Sequence, residues 1–186
     1  MSRLHRRTAV LLTGLATATT VTLVGAPVAS AALPEITSGD HYRITGGSSP
    51  LAIDVESSST ADNARVVQRP VDLQSKSQAW RALRQSAGYE FRNANSGKCL
   101  SVSGNSKAVG AHLVQRNCDG SAGQLWRLRA GEVDPTAGFQ SALSGHYIDV
   151  PGNTQAANTW LELRPGNAGG GNPGASQSFY MVRVDV

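Results

Sequence analysis

Three stretches, Leu51-Ala52-Ile53-Asp54-Val55, Lys98-Cys99-Leu100-Ser101-Val102 and His146-Tyr147-Ile148-Asp149-Val150, repeat one pattern at spacings of 47 and 48 residues. A second block follows each of them. Val66-Val67-Gln68-Arg69 matches Leu113-Val114-Gln115-Arg116 and Trp160-Leu161-Glu162-Leu163, at spacings of 47 and 47. A third block closes each unit as Gln78-Ala79-Trp80, Gln124-Leu125-Trp126 and Gln177-Ser178-Phe179, the last displaced by a Gly-rich insert from Asn167 to Ser176. Self-similarity at a fixed period is the mark of a repeat architecture. The blocks are short apolar runs bounded by Gly, Asn, Ser or Pro, which predicts strands joined by tight turns. Adding an opening strand near Tyr42–Thr45, Tyr89–Asn93 and Gly138–Ala142 gives about four strands per unit and twelve in all. One such unit is too small to bury a core alone. Three around a common axis can do so, with Ile53, Leu100 and Ile148 as equivalent inward positions, and Trp80, Trp126 and Phe179 as another set.

Upstream of the repeats the composition changes. Arg3, Arg6 and Arg7 precede an apolar run from Ala9 to Val24, and Ala29-Ser30-Ala31 has the form of a signal-peptidase site, so residues 1–31 read as a cleaved signal peptide and 32–39 as a linker. Export by the general or the twin-arginine route is left open, since Arg6-Arg7 lacks the usual aromatic two positions later. The repeats then occupy about 40–86, 87–134 and 135–186, in a chain expected to be secreted and monomeric. Of 17 basic residues, 14 remain after the leader against 13 acids, a balance of +1. The high pI therefore belongs to the leader, and no basic stripe for nucleic acid survives. Nothing beyond residue 32 approaches the ~18 apolar residues of a membrane span. Cys99 and Cys118 are the only cysteines. In an oxidising compartment they are expected to pair. Two thiols 19 positions apart without paired histidines lack zinc-ligand spacing.

Three units of about 47 residues, each closing on Gln-x-Trp or a near variant, together with one Cys-Leu-x-Val…Cys pair, resemble the ricin-type (R-type) lectin domain over roughly residues 40–184. The resemblance implies an all-β fold, the β-trefoil, in which a six-stranded barrel is capped by three hairpins and each repeat can hold one sugar. Family sites combine an Asp in the Cys-Leu-Asp block, an aromatic two residues before the second Cys and an Asn just after it. Carboxylate and amide meet sugar hydroxyls while the ring covers the apolar C–H face. By this correspondence unit one offers Asp54, with Arg69 in the aromatic slot and Asp72 in the Asn slot. Unit two offers Ser101, Arg116 and Asp119, and unit three Asp149, Leu163 and Asn167. No unit holds the full set. Asp54 and Asp149 either hold sugar hydroxyls or accept bonds from Gln78, Gln177 or turn amides. Trp160 either supplies the missing ring of unit three or fills the core, and Gln68, Gln78 and Gln177 are supporting candidates. Arg69 and Arg116 could stack on a sugar, pair with an anionic one, or form exposed ion pairs.

Catalysis is not expected. Glycoside hydrolysis needs two facing carboxylates, whereas the repeat acids sit in lectin-like contexts. The histidines after the leader, His41, His112 and His146, belong to no Gly-x-Ser-x-Gly, His-Glu-x-x-His or phosphate-loop pattern. No metal or cofactor is expected. The sequence therefore predicts a secreted, non-catalytic module that recognises a glycan or polysaccharide. A protein-binding trefoil, such as a secreted inhibitor using the Gly-rich insert as its contact loop, is the alternative.

Overall fold

The computed structural model describes residues 33–167 and 171–186; the expected signal peptide, and Ala168 to Gly170 of the insert, lie outside them. Among these residues thirteen strands form one antiparallel system. Unit one contains β1 (His41–Gly46), β2 (Leu51–Val55), β3 (Val66–Pro70) and β4 (Ala79–Gln85). Unit two contains β5 (Gly88–Asn93), β6 (Cys99–Val102), β7 (Leu113–Arg116) and β8 (Trp126–Ala130). Unit three contains β9 (Ala137–Ser141), β10 (Tyr147–Asp149), β11 (Thr159–Trp160), β12 (Glu162–Arg164) and β13 (Phe179–Val184). The thirteenth strand arises because the third strand of the last unit is interrupted at Leu161.

Pairing closes a ring in the order β1, β4, β5, β8, β9, β13 and back to β1. The hairpins β2–β3, β6–β7 and β10–β12 lie outside this six-stranded barrel, and they join one another about the pseudo-threefold axis through Arg65↔Val114, His112↔Glu162 and Trp160↔Val67. This is the β-trefoil. Closure leaves the barrel no free edge. Ile53, Leu100 and Ile148 are at most 1% exposed, as are Trp80, Trp126 and Phe179, so both sets of inward positions meet in one core. The two indoles are held in the same way: Trp80 Nε1 donates to the Ile53 carbonyl and Trp126 Nε1 to that of Leu100, each at 3.1 Å. Burying an indole leaves its N–H in need of a partner, and the hairpin carbonyl meets that need while tying the hairpin to the barrel.

A one-residue correction emerges in unit three. Ile53 faces Gln68 and Leu100 faces Gln115, but Ile148 faces Leu163. The spacing between the last two units is thus 48 throughout the hairpin, and Val66, Leu113 and Leu161 are the equivalent residues. Trp160 is the counterpart of Arg65 and His112. The sequence match of Trp160 to Val66 and Leu113 followed hydrophobicity, but the core takes the buried Leu161 and Leu163 and leaves Trp160 half-buried. Because a strand alternates its faces, this slip moves every later residue of the segment. Arg164, not Leu163, therefore occupies the slot held by Arg69 and Arg116.

Each unit also contains two short 3-10 turns that the sequence pattern did not announce. One follows its second strand, at Glu56–Ser58, Ser103–Asn105 and Pro151–Asn153. The other precedes its fourth, at Lys76–Gln78, Ala122–Gln124 and Ala175–Gln177. The second set brings each closing Gln under its hairpin.

Candidate functional site

The acid of units one and three is held in the same local arrangement. Asp54, on β2, accepts from Ser77 Oγ at 2.6 Å and from Gln78 Nε2 at 3.1 Å. Asp149, on β10, accepts from Ser176 Oγ at 2.8 Å, with the Gln177 side chain also favouring its charged form. The Ser and Gln come from the 3-10 turn before the closing aromatic, so one turn delivers both donors. Unit two has lost both halves together: Ser101 stands for the acid, Gly123 for the hydroxyl, and Ser101 Oγ turns to the Cys99 carbonyl. Asp54 is 5% exposed and Asp149 6%. A carboxylate can accept about four bonds, so each retains capacity beyond these donors. Burial pushes the Asp149 carboxyl above its ordinary range, aided by the nearby Glu162 and opposed by the Ser176 hydrogen bond, the Gln177 side chain and Arg164.

The three glutamine candidates are committed to the scaffold. Gln78 Nε2 donates to the Pro70 carbonyl and Gln177 Nε2 to that of Pro165, both at 2.9 Å. Gln124 makes the equivalent bond to Asn117. Gln68, 2% exposed, sends Nε2 across the unit boundary to the carbonyls of Thr154 and Ala156 at 2.8 and 2.9 Å. Gln115 does the same to Ser59 and Ala61, and its Oε1 accepts from Ser96 Oγ. Leu163, in the third equivalent position, has no amide to give.

Trp160 is placed away from Asp149. Its Nε1 donates to the Leu113 carbonyl at 2.6 Å. The His112 ring stacks on it at 3.9 Å and 6°, and the Arg65 guanidinium lies 4.5 Å from its centroid. These are the three equivalent residues of the axis, so the indole closes the top of the hairpin cap. Asn167 does fall in the slot of Asp72 and Asp119, at the start of the insert, with its N–H on the Asn172 carbonyl at 2.8 Å. The slot expected to carry an aromatic holds Arg69, Arg116 and Arg164. Arg164 pairs with the buried Glu162 at 2.6 Å, while Arg69 and Arg116 have no ion pair among the described residues. The sequence missed this threefold set only through the register slip.

Cys99 and Cys118 are joined as a disulfide inside unit two. Glu90 lies beside both sulfurs, but sulfurs bonded to one another are not thiolate ligands, and Glu90 pairs with Arg92 instead. Among the described residues no helix is long and apolar enough to cross a membrane.

Residues 76–164 match the family model described as ricin-type beta-trefoil lectin domain-like. No curated protein matches the chain. Among solved structures it is similar to a designed threefold-symmetric protein, ThreeFoil, with 26% identity and a TM-score of 0.69 over 78% of this chain and 99% of that one. It is similar also to an exo-beta-1,3-galactanase from Clostridium thermocellum, at 26% identity and a TM-score of 0.70, over 81% of this chain but 31% of the enzyme. A ricin B-like lectin from Macrolepiota procera, solved in complex with lactose, shares the fold at 22% identity and a TM-score of 0.68, over 81% and 99% of the two chains. The likeness to the lectin, below a quarter identity, is one of fold.

Proposed function

We propose that this chain is a secreted, non-catalytic carbohydrate-binding module whose contacts centre on Asp54 and Asp149. The observation that carries this reading is the recurrence in units one and three of a buried Asp accepting from a Ser hydroxyl, with the closing Gln beside it, and the joint loss of Asp and Ser in unit two. A carboxylate fixed by its own donors is oriented before any ligand arrives, which lowers the cost of binding. Asn167 lies in the amide slot of unit three and is a further contact. Two shallow polar sites on one rigid body gain by multivalency on a polymer.

A second reading, a protein-binding trefoil such as an enzyme inhibitor, draws on the arginines in all three aromatic slots. Guanidinium groups are enriched at protein interfaces. One experiment separates the two. The wild type and the Asp54→Ala/Asp149→Ala variant are passed over a glycan array and immobilised polysaccharides, with circular dichroism as the control for folding. Retention of the wild type and its loss in the folded double variant is the expected result. No retention of the wild type at high protein concentration would remove the carbohydrate reading. Loss of a protein interaction in Arg69→Ala/Arg116→Ala, with glycan retention unchanged, would establish the rival.

A further inference from the structure

A cleft at the β4–β5 turn, the end of that hairpin remote from Trp80, has no part in the arrangement above. Its volume is about 280 Å3, close to the lower bound of about 300 Å3 for small-molecule sites, so it suits one sugar ring rather than an oligosaccharide. Three arginines line it: Arg84 at the end of β4, and Arg127 and Arg129 on β8. None of the three has an ion pair among the described residues, and no carboxylate lines the cleft; Glu35 sits between Pro34 and Ile36, which do line it, without doing so itself.

Two of these cations are aimed by neutral partners. Arg84 donates through one terminal nitrogen to Tyr89 Oη at 3.0 Å, with its guanidinium 5.6 Å from the centroid of that ring. Arg129 donates through Nε to Gln140 Oε1 at 3.1 Å. Both are positioned without being neutralised. The rest of the lining includes the apolar Pro34, Ile36 and Leu128, the last two packed against the core. A cleft lined by guanidinium groups without carboxylate partners and by apolar side chains matches a ligand that carries both an oxyanion and a C–H face. Guanidinium forks bind carboxylate and sulfate oxygens two at a time.

We propose that this cleft is a separate subsite for an acidic sugar, a residue carrying a carboxylate or sulfate group. The proposal rests on the carbohydrate reading and specifies its target as an acidic polysaccharide. The test compares binding by titration calorimetry of an oligogalacturonate, a sulfated galacto-oligosaccharide and a neutral galacto-oligosaccharide to the wild type, to Arg84→Gln/Arg127→Gln and to Asp54→Ala/Asp149→Ala. The expected result is tighter binding of at least one acidic oligosaccharide than of the neutral one. The arginine double variant should lose about tenfold or more of that affinity, with its melting temperature and neutral-sugar binding unchanged. Arg84→Lys/Arg127→Lys should restore part of it, since charge returns without the fork. The carboxylate and sulfate probes show which anion is read. Equal affinity for acidic and neutral oligosaccharides, or an acidic preference that the arginine variant leaves intact, overturns the subsite while the module remains a carbohydrate binder. Absence of binding to all three probes also overturns the subsite, while the carbohydrate reading stands or falls on the glycan array.

Discussion

Gln68 and Gln115 each give both amide hydrogens to carbonyls of a neighbouring repeat, so one side chain ties two loop carbonyls of that unit to its own hairpin. Gln115→Leu, which copies the residue natural to unit three, should cost about 1–3 kcal/mol, seen as a lower urea midpoint with unchanged slope. An unaltered midpoint would show that the loop carbonyls find water without cost. Asp149 makes a different prediction. Burial raises its carboxyl above the ordinary 3.8, so the folded chain binds that proton more tightly than the unfolded one. Stability from this group is therefore full below about the ordinary value and falls as pH rises through the folded one. Asp149→Asn removes the titration, and its melting temperature should decline less across that window than the wild type's; parallel profiles would contradict this. At this scale the sequence was legible for the two acids and for the closing glutamines as possible partners of them. It was silent on Gln68 as a clamp, because the carbonyls it holds lie 86 and 88 residues away and carry no side-chain signature.

The elements were legible where alternation and turn residues coincided. All three opening strands fall within a residue of their expected limits at either end. The third hairpin was misread by one residue, since Trp160 and Leu161 are both apolar and only packing tells which of them goes inward. A close approach between elements gives a sharper test. Gly88 opens β5 at φ +147, and a Cβ there would lie 2.4 Å from the Trp126 carbonyl oxygen. That carbonyl belongs to the residue paired with Tyr89, so it cannot retreat without breaking the barrel ring. Gly88→Ala combines a backbone conformation costing about 1–3 kcal/mol with this collision. A fall of several degrees in melting temperature is expected, and near-neutral behaviour would mean that β5 and β8 are not sealed at this point.

For the whole molecule, the repeat made the architecture readable before any coordinate: three units too small to stand alone must share a core, and the buried Ile53, Leu100 and Ile148 do share one. The repeat also showed one difference between the copies, a cysteine pair present in unit two alone and expected to join. The Cys99–Cys118 bond is confined to unit two, and the loop of about 20 residues that it closes contributes roughly 3 kcal/mol in the chain-entropy model. Cys99→Ala/Cys118→Ala should lower the denaturation midpoint accordingly and leave binding through Asp54 and Asp149 in place. Loss of glycan retention in a variant that still folds would instead tie unit two to recognition.

The stack of Arg65, Trp160 and His112 on the axis has a consequence for ancestry and engineering. Where three copies converge on a line, whatever one copy contributes all must contribute, and three guanidinium groups would repel while three indoles would compete for the same space. Their interlock needs three unlike side chains at equivalent positions of one covalent chain. A peptide comprising unit one or unit three alone should therefore fail to self-assemble into a closed trimer until this position is replaced by a small residue that tolerates its own company.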